Sequence, residues 1–216
     1  MNFTIAPSVA LKMGFLRMTD CRVAASSDAL RSVYDGVVSV TRKRFAESPL
    51  SDHPVASGVR CLFKSSGIDP SRYRPSGEAL VRRILKEQDL YYINNIVDIN
   101  NICSIESLFP LGAYDCEHIV DDVNTRLGEC NEHYLGIGKE INIAGKLVSV
   151  DSQGAFGSPI ADSDRTKITE STREVLVLLY APGSTDDSVM ADTLSRFADL
   201  ASEHAGAHKV DAGIYA

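Results

Sequence analysis

A mixed α/β fold in one domain is what this sequence predicts, and three observations carry that reading. The chain has 216 residues, 44% apolar and 24% charged, which is ordinary for a globular protein and enough for one sizeable core. Helical periodicity dominates the first half, period-two alternation dominates from Val123 to Tyr180, and a last helical stretch follows. No internal repeat, low-complexity tract or linker divides the chain.

Taken in order, Phe3 to Ile5 and Gly14 to Val23 read as short strands, the second with Phe15, Arg17 and Thr19 alternating against Leu16 and Met18. Ser26-Ser27 offers an N-cap for a helix from Asp28 to about Glu47, with Leu30, Val33, Tyr34, Val37, Val38 and Phe45 as its apolar stripe. Asp28 at its start and Arg42-Lys43-Arg44 at its end suit the helix dipole, so the basic run reads as a solvated helix end. Ser48-Pro49 breaks that helix, and Val55 to Lys64 forms a shorter one. Ser76 then caps a helix over Gly77 to Lys86, and another runs from about Tyr92 to Ile105. Strands are expected at 123–126, 134–137, 140–143, 146–150 and 174–180, with Ala144-Gly145 as a hairpin turn into the fourth. Asp151 to Thr169 reads as a loop, and a helix from about Thr185 to Glu203, followed by Gly206, closes the pattern.

Several function classes fall away on composition. The five cysteines are odd in number and include no C-x-x-C pair, which fits reduced thiols in a cytoplasm and neither a disulfide framework nor a zinc ribbon. The first residues lack the basic start and apolar run of a signal peptide, and no stretch approaches the ~20 apolar residues of a membrane helix. A net charge of −7 repels a phosphate backbone, so no DNA partner is expected and any RNA contact is small and salt-sensitive.

A nucleophile elbow, a P-loop, a dinucleotide fingerprint and an H-E-x-x-H pair are all missing. Ser152 and Ser158 lie in a glycine-containing loop, but nothing places a histidine as their base. His204 and His208 flank Gly206 at a helix end, and the acidic pairs Asp121-Asp122, Asp162 with Asp164, and Asp186-Asp187 suit turns and caps. Neither a metal nor a cofactor is expected.

The richest stretch runs from Tyr73 to Tyr134, where polar residues crowd beside apolar runs and suggest a pocket that the loop 151–169 completes. Asp98, Asn101, Asp115, Arg126 and Glu132 form its constellation, readable as a buried ion-pair network or as a ligand site. For Asn101 the functional reading leads, because an amide both donates and accepts. Arg72, Arg74, Arg82 and Arg83 are the one basic cluster near it, either an RNA contact or surface pairs with nearby acids.

The ordered pieces Arg74-Pro75-Ser76, Glu78-Ala79-Leu80, Arg82-Arg83, Val97-Asp98-Ile99-Asn100-Asn101, Gly112-Ala113-Tyr114-Asp115 and Arg126 to Tyr134 resemble the B3/B4 domain of the bacterial phenylalanyl-tRNA synthetase beta subunit, in a short free-standing form and over about residues 66–182. The resemblance implies a layered sheet-sheet-helix domain. It also implies an editing activity: the hydrolysis, in trans, of the ester between a wrong amino acid and the 3′ end of a tRNA. Asn101 takes the place of the asparagine of the family's editing pocket and is the implied catalytic residue, with Asp98, Gly112, Asp115, Arg126 and Glu132 around the substrate. Two positions depart from the family pattern, because Gly112 stands at its histidine and Leu178 at its editing glutamate. A changed specificity follows from that, or a non-catalytic module that binds RNA or a small amino-acid-like ligand on the same fold.

Overall fold

The computed structural model describes residues 1–216. Ten strands and five α-helices follow the chain as β1 (Phe3–Ile5), β2 (Leu11–Thr19), α1 (Asp28–Arg44), α2 (Pro54–Ser65), α3 (Ser76–Leu85), α4 (Asn95–Ser107), β3 (Leu111–Asp115), β4 (Val123–Leu127), β5 (His133–Gly136), β6 (Lys139–Asn142), β7 (Leu147–Asp151), β8 (Gly154–Gly157), β9 (Val175–Pro182), α5 (Asp187–Ala205) and β10 (His208–Tyr215). One sheet has the order β1-β4-β7-β8, another the order β10-β2-β9-β3, and β5 and β6 form a separate hairpin.

The layering is sheet, sheet, helix. Val175 to Ala181 are all buried, as a central strand covered on both faces requires. On one side, α2, α4 and α5 pack against the β10-β2-β9-β3 sheet. On the other, Phe3 of β1 stacks on Phe15 of β2 with ring centroids 4.2 Å apart, and the Thr125 hydroxyl of β4 lies 3.2 Å from the Met13 sulfur of β2. A continuous apolar core runs through both interfaces, while Tyr134, Ile143, Val148 and Val150 make a small second cluster under the hairpin.

Local chemistry moves several boundaries. Ser27 caps α1 as expected, its hydroxyl accepting from the Leu30 N–H. The helix expected from Tyr92 starts at Asn95, because the Asn94 side chain accepts from the Val97 N–H and caps it there. At α3 the capping position falls to Pro75; Ser76 is the first helical residue, and its hydroxyl is buried without a partner. Gly206 ends α5 with φ +63°, the left-handed stop that glycine allows.

Four strand readings are corrected. Ala144-Gly145 does not turn a hairpin, because β6 pairs back with β5 across Ile137-Gly138, where Gly138 has φ +82°. The stretch 111–115, absent from the expected strands, is the edge strand β3, and the expected loop after Asp151 contains β8. The C-terminal stretch is β10, which pairs antiparallel with β2 around a bulge between Lys209 and Asp211.

Candidate active site between the sheets

The constellation expected between Tyr73 and Tyr134 does not assemble. Asp98 is buried, accepts from the Ser26 hydroxyl at 2.5 Å and from the Ile93 N–H at 3.0 Å, and so ties α4 to the start of α1. Burial raises its pKa against those two bonds. Asn101 faces the same side, toward the buried Tyr34 hydroxyl of α1, which has no well-formed hydrogen bond. Asp115 accepts from the Thr172 hydroxyl at 2.6 Å and from the Glu117 N–H at 3.1 Å, and caps a short 3-10 turn. Arg126 and Glu132 form a two-bond ion pair at 2.7 and 2.9 Å, and Glu132 also accepts from the Glu129 N–H. The Arg126 bonds lower the Glu132 pKa. Apart from that pair, no hydrogen bond or ion pair joins any two of the five. Each meets a local demand of the fold, which is what a buried charge in a packed interior requires.

The arginines are largely engaged as well. Arg82 donates to Glu78 at 2.7 Å, and Arg60 donates to the same buried carboxylate at 2.9 and 3.1 Å. Arg83 donates to the Asp89 carbonyl at 2.7 Å and stacks on Tyr91, and Arg72 stacks on Tyr73. Arg74 is exposed and makes no hydrogen bond or ion pair within the chain.

Gly112 and Leu178 stand directly opposite each other in the β3–β9 ladder. The space a side chain at Gly112 would need is filled from within, because a Cβ on Gly112 or on Gly157 would run into the Tyr114 hydroxyl. Asn100 approaches β3 from α4, donating to the Leu111 carbonyl at 3.3 Å while its own amide oxygen is buried without a partner.

Polar groups do converge, two residues along from Gly112. The hydroxyls of Tyr114 and Tyr180 lie 3.4 Å apart, Tyr180 lies 2.9 Å from Ser149, and Ser149 lies 3.1 Å from Thr125, a chain of hydroxyls crossing the gap between the sheets. Asp162 sits against this chain and influences Tyr114, Tyr134 and Tyr180. It has no ion-pair partner, and no well-formed hydrogen bond reaches its carboxyl oxygens, although the Tyr114 hydroxyl is beside it. The residue as a whole keeps some solvent contact, but enclosure of the carboxyl pushes its pKa up to about 7. Burial likewise pushes Tyr134 up to about 12.

A cleft of about 390 Å³ opens beside this group, between the β5–β6 hairpin, Tyr73 and the segment 158–161. Ser158 organises that segment: its hydroxyl accepts from the Ile160 and Ala161 N–H groups and lies 3.3 Å from the Tyr134 hydroxyl, which donates to the Ala161 carbonyl at 2.5 Å. Opposite, the Lys146 ammonium lies 4.1 Å from the centre of the Tyr73 ring. Asp162 does not itself line this cleft but follows Ala161, which does, and a carboxyl with a raised pKa next to a wall that holds a cation and an aromatic face is a candidate acid–base group.

The sequence expectation did include Tyr73, Tyr134 and the 151–169 segment in the pocket. It left Asp162 as a turn acid and passed over Tyr180 and Ser149, which look like ordinary residues of buried strands. Their one signal is alternation, since Ser149 and Tyr180 lie on the faces their strands turn toward each other.

Two stacked sheets with one helical layer and this cleft define a domain of the B3/B4 class, and the chain belongs to that family: the B3/4 domain model matches residues 59–198. Its structure is similar to that of an N-terminal fragment of the phenylalanyl-tRNA synthetase beta subunit from Pyrococcus horikoshii, with a TM-score of 0.50 and 12% identity over 99% of this chain. The chain spans 50% of the length of that fragment, and at this identity the likeness is one of fold. No curated protein matches the sequence.

Proposed function

We propose that this synthetase-related domain binds the aminoacylated 3′ end of a tRNA and hydrolyses the ester of a wrongly attached amino acid. The observation that carries the reading is Asp162, a carboxyl without an ion-pair partner held among three tyrosines and directly following Ala161, which lines a cleft of about 390 Å³. The terminal adenosine stacks on Tyr73, and Lys146 neutralises the neighbouring phosphate. Ionised Asp162 takes a proton from a water molecule as its oxygen bonds to the ester carbon. The tetrahedral intermediate then collapses, the bond to the ribose oxygen breaks, and Asp162 returns the proton to that oxygen, leaving a free amino acid and an uncharged tRNA. No covalent protein nucleophile is needed; positioning and a tuned acid–base group supply the rate.

One observation favours a second reading, a non-catalytic module for RNA or a small amino-acid-like ligand. Gly112 and Leu178 replace the histidine and the acid, respectively, that the family resemblance implies, and Tyr114 fills the space between the sheets at Gly112. Both readings give Asn101 a supporting part, because it faces Tyr34 and α1. Deacylation of a panel of mischarged tRNAs by wild type and Asp162→Asn separates them: turnover that the substitution removes supports editing, and no turnover above the spontaneous rate supports the module.

A further inference from the structure

Four of the large apolar side chains that the surface exposes lie at or just after the end of α3: Leu85 (38% exposed), Tyr91 (71%), Tyr92 (41%) and Ile93 (62%). A cluster of this kind marks an interaction surface. Its chemistry is unlike that of a dry contact between proteins. The Arg83 guanidinium lies 5.5 Å from the centre of the Tyr91 ring, and the Arg31 guanidinium lies 5.0 Å from that of Tyr92. Each exposed ring therefore carries a cation on one face. Arg42 lines the adjoining cleft of about 500 Å³, whose apolar wall is Val38, Ile84 and Leu90. Asp35 and Asp89 border the same cleft, where the Asp35 carboxylate accepts from the Tyr92 hydroxyl at 2.7 Å.

We propose that this ledge binds unpaired RNA, with bases stacking on Tyr91 and Tyr92 and phosphates meeting Arg31, Arg83 and Arg42. Exposed aromatic rings alternating with arginines match a single strand, which offers a flat base and a negative charge at every nucleotide. A protein partner would have to supply a carboxylate for each guanidinium within an otherwise apolar contact, and the net charge of −7 over the whole chain makes a local basic patch necessary for any phosphate to approach. The ledge extends the reading of the previous section. Tyr73 precedes α3 and Tyr91 follows it, so the two aromatic sites bracket one ten-residue helix, with the last base of a single-stranded tRNA 3′ arm at Tyr73 and earlier bases on the ledge.

The test is fluorescence anisotropy with a labelled single-stranded RNA of about a dozen nucleotides ending in CCA, compared with the same sequence in a blunt duplex, alongside the deacylation assay. The single strand should bind more tightly than the duplex, and Tyr91→Ala with Tyr92→Ala should weaken it by about tenfold or more. Tyr91→Phe should keep the affinity, because the stacking face remains, and Arg83→Gln should reduce the salt dependence. Affinity unchanged in the double alanine variant, with its circular dichroism intact, overturns the proposal and leaves a protein contact as the use of the ledge. Absence of any binding by wild type overturns it too. Ledge-dependent RNA binding without deacylation upholds the ledge and removes editing, whereas deacylation untouched by the double alanine variant upholds editing and removes the ledge.

Discussion

At the scale of single residues, Asp162 makes the most specific demand. Its folded pKa of about 7 lies above the ordinary carboxylate value of 3.8, so the folded state holds a proton that the unfolded state has released. Its contribution is therefore full below about pH 4 and is lost as pH rises toward 7. Asp162→Asn should flatten that slope in denaturant titrations between pH 4 and 8 and should raise stability at pH 8, on the order of 2 kcal/mol. A wild-type stability independent of pH in that window would contradict the enclosure described here. Gly112 makes a steric demand. Gly112→Ala places a methyl group against the Tyr114 hydroxyl and should cost ~1–3 kcal/mol of unfolding free energy by overpacking. Asn101 was legible as a functional amide from its donor and acceptor chemistry and from the family resemblance. Its place beside Tyr34 depends on how α4 rotates onto α1, which no spacing in the sequence reports. Asn101→Ala should cost about 1 kcal/mol of stability and leave any deacylation rate within about twofold, as measured by denaturation and by the tRNA assay.

Among the elements, helices were easier to read than strands, for a physical reason. A helix carries its own cap and stripe, as Ser27 and Leu30 do in α1 and Gly206 does after α5, so local residues suffice to place it. A strand is defined by partners far away in sequence: β1 pairs parallel with β4, and the β3–β9 ladder joins residues sixty or more positions apart. Hence β3, β8 and β10 went unseen. The contact between α3 and α4 shows what sequence can suggest and only structure can weigh. At Gly77 a Cβ would meet the Phe109 carbonyl at 2.8 Å and the Ser104 carbonyl at 3.0 Å, so the two elements meet backbone to backbone. The next residue, Glu78, is buried under Arg60 and Arg82. Glu78→Ala leaves two guanidinium groups facing the vacated site and should destabilise the protein by ~3 kcal/mol in thermal or denaturant unfolding. A loss below about 0.5 kcal/mol would place that pair among surface bridges of little worth.

For the whole molecule, the order of helical and alternating segments predicted the mixed class of fold and the family resemblance implied the layers, but the cleft comes from the meeting of segments around Tyr73, Tyr134, Lys146 and Ser158. Net charge works against RNA everywhere except near the arginines around α3, so binding should be weak and should release about two to three ions per complex. Three outcomes are then open to one experiment on mischarged tRNA: editing, binding alone, or neither. The most direct measurement is the rate of ester hydrolysis, corrected for the spontaneous reaction, across pH 5 to 9 for wild type and Asp162→Asn. Asp162 acting as the base predicts a wild-type rate that rises with pH to a plateau above about pH 7 and a variant slower by on the order of 10²-fold or more. Equal rates for the two proteins, or no hydrolysis of any tRNA in the panel by wild type, would contradict the assignment of the cleft as an editing site.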